Sequence, residues 1–270
     1  MRTVDRNREP RPGVLDPTQT TPHVSAYATC SSASSVKKHI YGHKDVVAAL
    51  QRLFLRKCSL CEADASKDGV IEHFIPHSQA RANLAYEWTN LHWSCGACNQ
   101  RKKREEFKEF RPGSKIVERT LLIDSTAPHG GRVEEMIWFD QKLRAQATIA
   151  FNQDKVVLLT AEFLNASMPE TERLRMSNEM QGFISEAGCL PEWRALLLLS
   201  PVDPATRPDP ALARRALEMA DRLYLLFLHE TNPFSTSMRC SLAVRHGLEV
   251  SSVVELGRRH RVLQNLSAAY

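Results

Sequence analysis

Four cysteines come in two identical spacings, Cys58-x2-Cys61 and Cys95-x2-Cys98. Each CxxC turn aims two thiolates at one point, and two such turns complete a tetrahedral all-sulfur site of the kind that holds zinc. Such a site is closed. Protein thiolates fill every position, so its work is to hold two pieces of chain together. A redox role fits less well, because neither pair sits in a βαβ pattern. Residues 62–94 lie between the pairs, more chain than a compact zinc ribbon needs, so this interval must contain folded structure of its own. Inside it stands VIEHFIPHSQA, residues 70–80. The run reads as a strand ended by Pro76, with Glu72 and His73 side by side and His77 just beyond. A carboxylate suits a hard divalent cation, and an imidazole titrates near neutral pH and can take a proton from water. Alternation along a strand would send the two neighbours to opposite faces. They serve one site only at a strand end or a kink, and Pro76 marks an end.

The landmarks continue in order: Asn90-Leu91, then Cys98-Asn99 and Lys102. Taken together, CxxC, Glu-His-x-x-Pro, Asn-Leu and CxxCN-x-x-Lys resemble the HNH endonucleases, the ββα-metal nucleases in their cysteine-flanked form. The resemblance implies metal-dependent hydrolysis of phosphodiester bonds in nucleic acid, with DNA as the expected substrate. In-line attack by water on a phosphodiester needs a base at the water and a cation on the developing charge. His73 is the expected base. Glu72 and the amide oxygen of Asn99 are the expected ligands of a catalytic ion, and oxygen donors with water suit Mg²⁺ or Mn²⁺. Many members of the family carry a histidine near the Asn99 position. Asn90 is expected to brace the loop and fix the His73 ring. Arg101, Lys102 and Lys103, on a helix beside the site, are expected to contact phosphates, with His77 as an auxiliary contact. Cys58, Cys61, Cys95 and Cys98 are the expected zinc ligands; Cys30, Cys189 and Cys240 read as isolated thiols. His92 is expected to pack beside Trp93, and His129 to lie in a loop.

Around these residues the elements can be sketched. Residues 1–35 are rich in Pro, Ser, Thr and Arg without periodicity and read as a disordered arm. Lys44–Lys57 is an amphipathic helix with Val46, Val47, Leu50, Leu53 and Phe54 on one side, running directly into Cys58. From Asn99 to Arg119 eight Lys/Arg stand against four Glu. Strand-like pieces follow at 119–124, 136–140 and 147–151, then helices over 154–164 and from a capping-box pattern, Ser167 to Glu170 with Pro169 in its first turn. Pro191, Pro201, Pro204, Pro208 and Pro210 punctuate the chain before a last long helix, Pro210–His229, capped by Asp209. The expected fold class is α+β: a mainly helical chain containing a ββα-metal core stapled by a four-cysteine zinc site. The expected domains are the arm (1–35), the nuclease core (36–120) and a mostly helical C-terminal region (121–270) suited to docking a partner.

A narrower resemblance covers the later chain. LLIDSTAP, ATIAFN, Leu164-Asn165-Ala166, Leu174-Arg175 and NPFSTSMR (232–239) are similar to segments of the nuclease subunit of Septu-type antiphage systems (PtuB-like proteins), a subunit type also found with retrons. This implies a partner ATPase of the AAA/ABC type that restrains the nuclease until a phage-linked signal arrives. The sequence has no GxxxxGK[ST], so ATP dependence would come from that partner.

Composition fits this reading. The net charge of +5 is compatible with a polyanionic partner. No apolar run approaches the ~18 residues of a membrane span. The charged N-terminus lacks the apolar core of a secretory signal, so a cytoplasmic location is expected, where cysteines bind metal rather than pair. Two other functions compete: a non-catalytic zinc module that binds nucleic acid or protein, and a stand-alone restriction- or homing-type nuclease. The first would need neither Glu72 nor His73. The second would need a recognition element, and no helix-turn-helix or finger pattern is present.

Overall fold

The computed structural model describes residues 1–29, 36–127, 131–140, 142–167, 170–198 and 209–267. The fold is α+β and mostly helical, with small two-stranded sheets. It divides into two compact units, one of Met1–Trp138 with Ala145–Met168, the other of Phe139–Arg144 with Pro169–Tyr270.

In the first unit α1 (Pro17–Thr29) and α2 (Lys38–Tyr41) precede α3 (Lys44–Leu53). α3 starts where His43 Nδ1 accepts the Asp45 N–H at 3.3 Å. It buries Val46, Ala49, Leu50 and Leu53, the i, i+3, i+4, i+7 stripe of one helical face. The helix stops short of the expected Lys57. Leu55 and Arg56 take left-handed backbone angles, φ 54° and 58°, and turn the chain into the first cysteine pair. β1 (Val70–His73) then pairs antiparallel with β2 (Leu91–Ser94), in a register that sets Glu72 opposite His92 and His73 opposite Leu91. Gly69 leads into β1 beneath the Trp93 ring, whose indole N–H donates to the Ala65 carbonyl at 3.1 Å. A Cβ at Gly69 would collide with that ring. α4 (Gly96–Arg101) completes a ββα order.

The basic run after α4 is not a helix. It forms an antiparallel hairpin, β3 (Lys108–Phe110) with β4 (Val117–Thr120), in which Arg111 pairs with Glu118 and Arg119 with Glu109. The expected strand at 119–124 therefore ends at Thr120. Ile123 is fixed instead by Thr160 Oγ1, which accepts its N–H at 2.8 Å. α5 (Val133–Met136), β5 (Ile137–Phe139) and β6 (Ala145–Ala147) follow, then α6 (Lys155–Ser167), opened by the Asp154 carboxylate, which accepts the Val156 N–H at 2.8 Å.

Residues 1–29 correct the expected disordered arm. Met1, Val4, Leu15 and Tyr27 are buried, and the last three join the core of Leu50, Phe54, Trp88, Leu91 and Trp93. The Arg6 guanidinium lies over the Trp88 ring, 5.0 Å from its centroid, and donates to the Leu91 carbonyl at 2.6 Å. Composition could not reveal this, because a few anchors do the ordering rather than a periodic face. Residues 30–35, with Cys30, lie outside the described residues, as do His129, Pro169, Pro201, Pro204 and Pro208. The expected border at residue 120 falls inside the first unit, which continues through α6.

The second unit holds α7 (Glu170–Ala187), α8 (Leu190–Leu198), α9 (Pro210–Leu223), α10 (Ser235–His246) and α11 (Val250–Ser267). Asp209 caps α9, accepting the Ala211 N–H at 2.7 Å. The helix expected to reach His229 loosens after Leu223 into a π-helical turn, Tyr224–Leu228. Trp193, Leu217, Leu223, Met238, Leu242, Val253 and Leu256 are buried here. Among the described residues no helix is long and apolar enough to cross a membrane.

Candidate active site and thiolate cluster

The four paired cysteines converge. Their sulfurs lie within 4.8 Å of one another, with Cys61 and Cys95 at 3.9 Å. Zinc–thiolate bonds of ~2.3 Å in a tetrahedron separate sulfurs by about 3.8 Å, so the cluster has the size of a zinc site. Two backbone features shape the first pair: Glu62 in the left-handed region, φ 62°, and the Cys58 N–H donating to the Ala63 carbonyl at 2.9 Å. Neighbouring thiols and burial hold the Cys98 thiol well above its ordinary range. A cation among the four sulfurs would reverse that penalty. No other group of three or more His, Cys, Asp or Glu side chains converges in this way among the described residues. Cys189 is buried and donates to the Ala187 carbonyl at 2.9 Å.

β1 ends at His73, where both neighbours can serve one site. Glu72 is buried, and its Oε1 meets the Lys102 ammonium at 2.5 Å. Lys102 is also buried and donates to the carbonyls of His73 at 2.8 Å and Phe74 at 2.7 Å. Burial pushes the Glu72 carboxyl up and the Lys102 ammonium down, each opposed by the attraction of the other. This corrects the expectation that Lys102 reaches a phosphate. Its charge points inward and cements the strand end to α4.

The His73 ring is fixed by one bond, Nε2 to the Ala85 carbonyl at 3.0 Å. A carbonyl only accepts, so Nε2 carries the proton and Nδ1 keeps a free lone pair. Burial lowers the His73 pKa to about 4, which keeps the ring neutral at physiological pH. Asn90 binds the backbone one residue before that carbonyl. Its Nδ2 donates to the carbonyls of Ile75 and Leu84, both at 2.9 Å, and its Oδ1 accepts the Ile75 N–H at 2.8 Å. Asn90 thus ties the two ends of the loop that faces the His73 ring.

Glu72, His73, His77, Asn99 and Lys103 line one open cleft of about 280 Å³, with Ile71, Pro76 and Lys108. Asn99 Oδ1 is buried there without a hydrogen-bond partner, and Glu72 has a second oxygen beyond the one Lys102 holds. Two oxygen donors with room for water fit a Mg²⁺ or Mn²⁺ ion. Arg101 is not in this cleft; with Gln100 and Arg104 it lines a separate depression. His92 is buried in a stack with Phe74, ring centroids 5.0 Å apart, rather than beside Trp93, because alternation along β2 turns these neighbours to opposite faces.

Two aromatic residues reach the site without a signal in the sequence. Tyr41 of α2 meets the His73 ring edge-on at 4.9 Å, and the Tyr27 hydroxyl of α1 lies 3.1 Å from His77 Nδ1. Neither stands in a motif, and Tyr27 falls in the stretch that composition reads as an arm.

The strand end, the His73 ring, Asn90 and the Asn99 amide thus stand along one ββα order. The profile of the family HNH endonuclease matches residues 58–105, from the first paired cysteine to just past α4. Comparisons with curated proteins and with solved structures find no match.

Proposed function

We propose that this chain is a metal-dependent endonuclease that hydrolyses phosphodiester bonds in DNA. The observation that carries the reading is the meeting, in one cleft, of a neutral His73 whose Nδ1 is free, an unpartnered Asn99 oxygen and the Glu72 carboxylate. His73 Nδ1 takes the proton of the attacking water. Glu72 and Asn99 would hold a Mg²⁺ or Mn²⁺ ion, which when bound offsets charge on the phosphoryl group and the leaving oxygen. Asn90 keeps the His73 ring aimed through the Ala85 carbonyl. Lys103 and His77 bind backbone phosphate in the cleft, and Arg101 extends the basic track beyond it. The thiolate cluster holds zinc and keeps both halves of the core in register.

We further propose that the protein acts in the cytoplasm as the effector of an antiphage system of the Septu or retron type, restrained by an AAA/ABC-type ATPase that docks on the C-terminal helical unit. Support comes from the sequence segments LLIDSTAP, ATIAFN and NPFSTSMR. The test is direct: purified, zinc-loaded chain incubated with supercoiled plasmid should nick it when Mg²⁺ or Mn²⁺ is added. If it does so only with the ATPase present, the restraint is replaced by a requirement. No cleavage under either condition removes the nuclease reading.

A further inference from the structure

α1 contributes to the cleft from outside the matched residues 58–105. Tyr27 is 5% exposed, and its hydroxyl has one partner among the described residues, His77 Nδ1 at 3.1 Å. The two rings meet edge-on with centroids 5.5 Å apart. His77 in turn meets His73 edge-on at 4.6 Å, and both line the cleft. Hydrogen-bond accounting sets the direction of the Tyr27–His77 bond. If Nδ1 carried the proton, the phenol hydrogen would be left without an acceptor in a buried place. Tyr27 therefore donates, Nδ1 accepts, and the ring proton of His77 sits on Nε2. Nε2 has no partner among the described residues. The two histidines thus differ in what they leave free: His73 a lone pair on Nδ1, His77 an N–H on Nε2.

We propose that Tyr27 is a positioning residue that fixes His77 as an Nε2–H donor to a non-bridging oxygen of the backbone phosphate seated beside His73. The inference rests on the nuclease reading and deepens it, since it makes α1 part of the phosphate site. A neutral donor orients the phosphate without delivering a proton, so His73 remains the group that accepts one.

Nitrogen NMR of the full-length, zinc-loaded chain labelled at histidine reads the tautomer without needing catalysis. His77 should show a bare Nδ1 and a protonated Nε2, and Tyr27→Phe, which keeps the ring and its packing, should convert it to a mixture. Binding is then read with a DNA duplex as probe, in a His73→Ala background that separates affinity from cleavage. Tyr27→Phe and His77→Ala should each weaken the duplex about 3- to 10-fold, and together no more than His77→Ala alone. A protonated Nδ1 in the parent chain overturns the assignment. So does additive weakening in the double variant, full affinity in His77→Ala, or no duplex binding at all. Failure of the nuclease reading shows separately, as no cleavage by the parent chain with Mg²⁺ or Mn²⁺, with or without the ATPase.

Discussion

The thiolate cluster and the cleft are built from the same stretch of chain, yet they are opposite kinds of centre. One gathers four sulfurs within 4.8 Å, three of the cysteines being buried, and leaves no position for a substrate. The other is open and offers oxygens, a free imidazole nitrogen and a lysine. Their residues interleave: Cys98 and Asn99 are neighbours on α4, one turned to the sulfurs and one to the cleft. A helix turns about 100° per residue, so adjacent positions can serve two centres without a change of backbone. The difference separates what holds from what reacts. On the proposed reading, soft thiolates fix the frame, and hard oxygens are left for a labile ion and a phosphate.

That division can be broken experimentally. Cys98→Ser should have the largest effect, since structural zinc contributes on the order of 10 kcal/mol to folding. Zinc should be lost, and the first unit should unfold by circular dichroism; a folded, metal-free variant would mean the cluster is dispensable. Lys102→Met should cost about 3–5 kcal/mol in urea unfolding, because a buried Glu72 is left without its partner. Unchanged stability with weaker DNA binding would restore Lys102 to the phosphate. The cleft side should also be sensitive to acid. With the folded His73 pKa at about 4 and the ordinary value at 6.5, the unfolded chain takes up a proton that the folded site refuses. This group therefore leaves stability undiminished above the ordinary value and lowers it as pH falls through that window, which unfolding midpoints measured across it would show. In a His73→Ala chain that part of the pH dependence should vanish. Smallest of these, Lys103→Ala should lower the slope of log affinity against log salt by about 1 with stability unchanged; a shifted unfolding midpoint would place Lys103 in the frame instead.

Much of the frame was legible in the residues. The CxxC pairs and the apolar stripe of α3 each follow from a local rule, and the structure keeps them, while the strand expected to run to Pro76 ends at His73. Direction was less legible than type. Lys102 looks like one more member of a basic run, and nothing local says that its ammonium turns inward to cap two carbonyls and a carboxylate. Charge alone gives that run no shape, and its cations Arg111 and Arg119 pair with Glu118 and Glu109 across a hairpin. Residues 1–29 were misread for a related reason. Arg6 and Tyr27 order that segment through bonds to residues 85 and 50 positions away, and long-range anchors leave no periodic trace.

On the proposed reading, His73 belongs to the reaction and not to the frame. That assignment is tested by measuring zinc content, folding and plasmid nicking side by side in the parent chain and in His73→Ala, each with Mg²⁺ or Mn²⁺ and with the ATPase if one proves necessary. His73→Ala should keep its zinc and its fold while cleavage falls by about 10²- to 10⁴-fold. Cleavage retained in a folded, zinc-loaded His73→Ala chain would contradict that assignment.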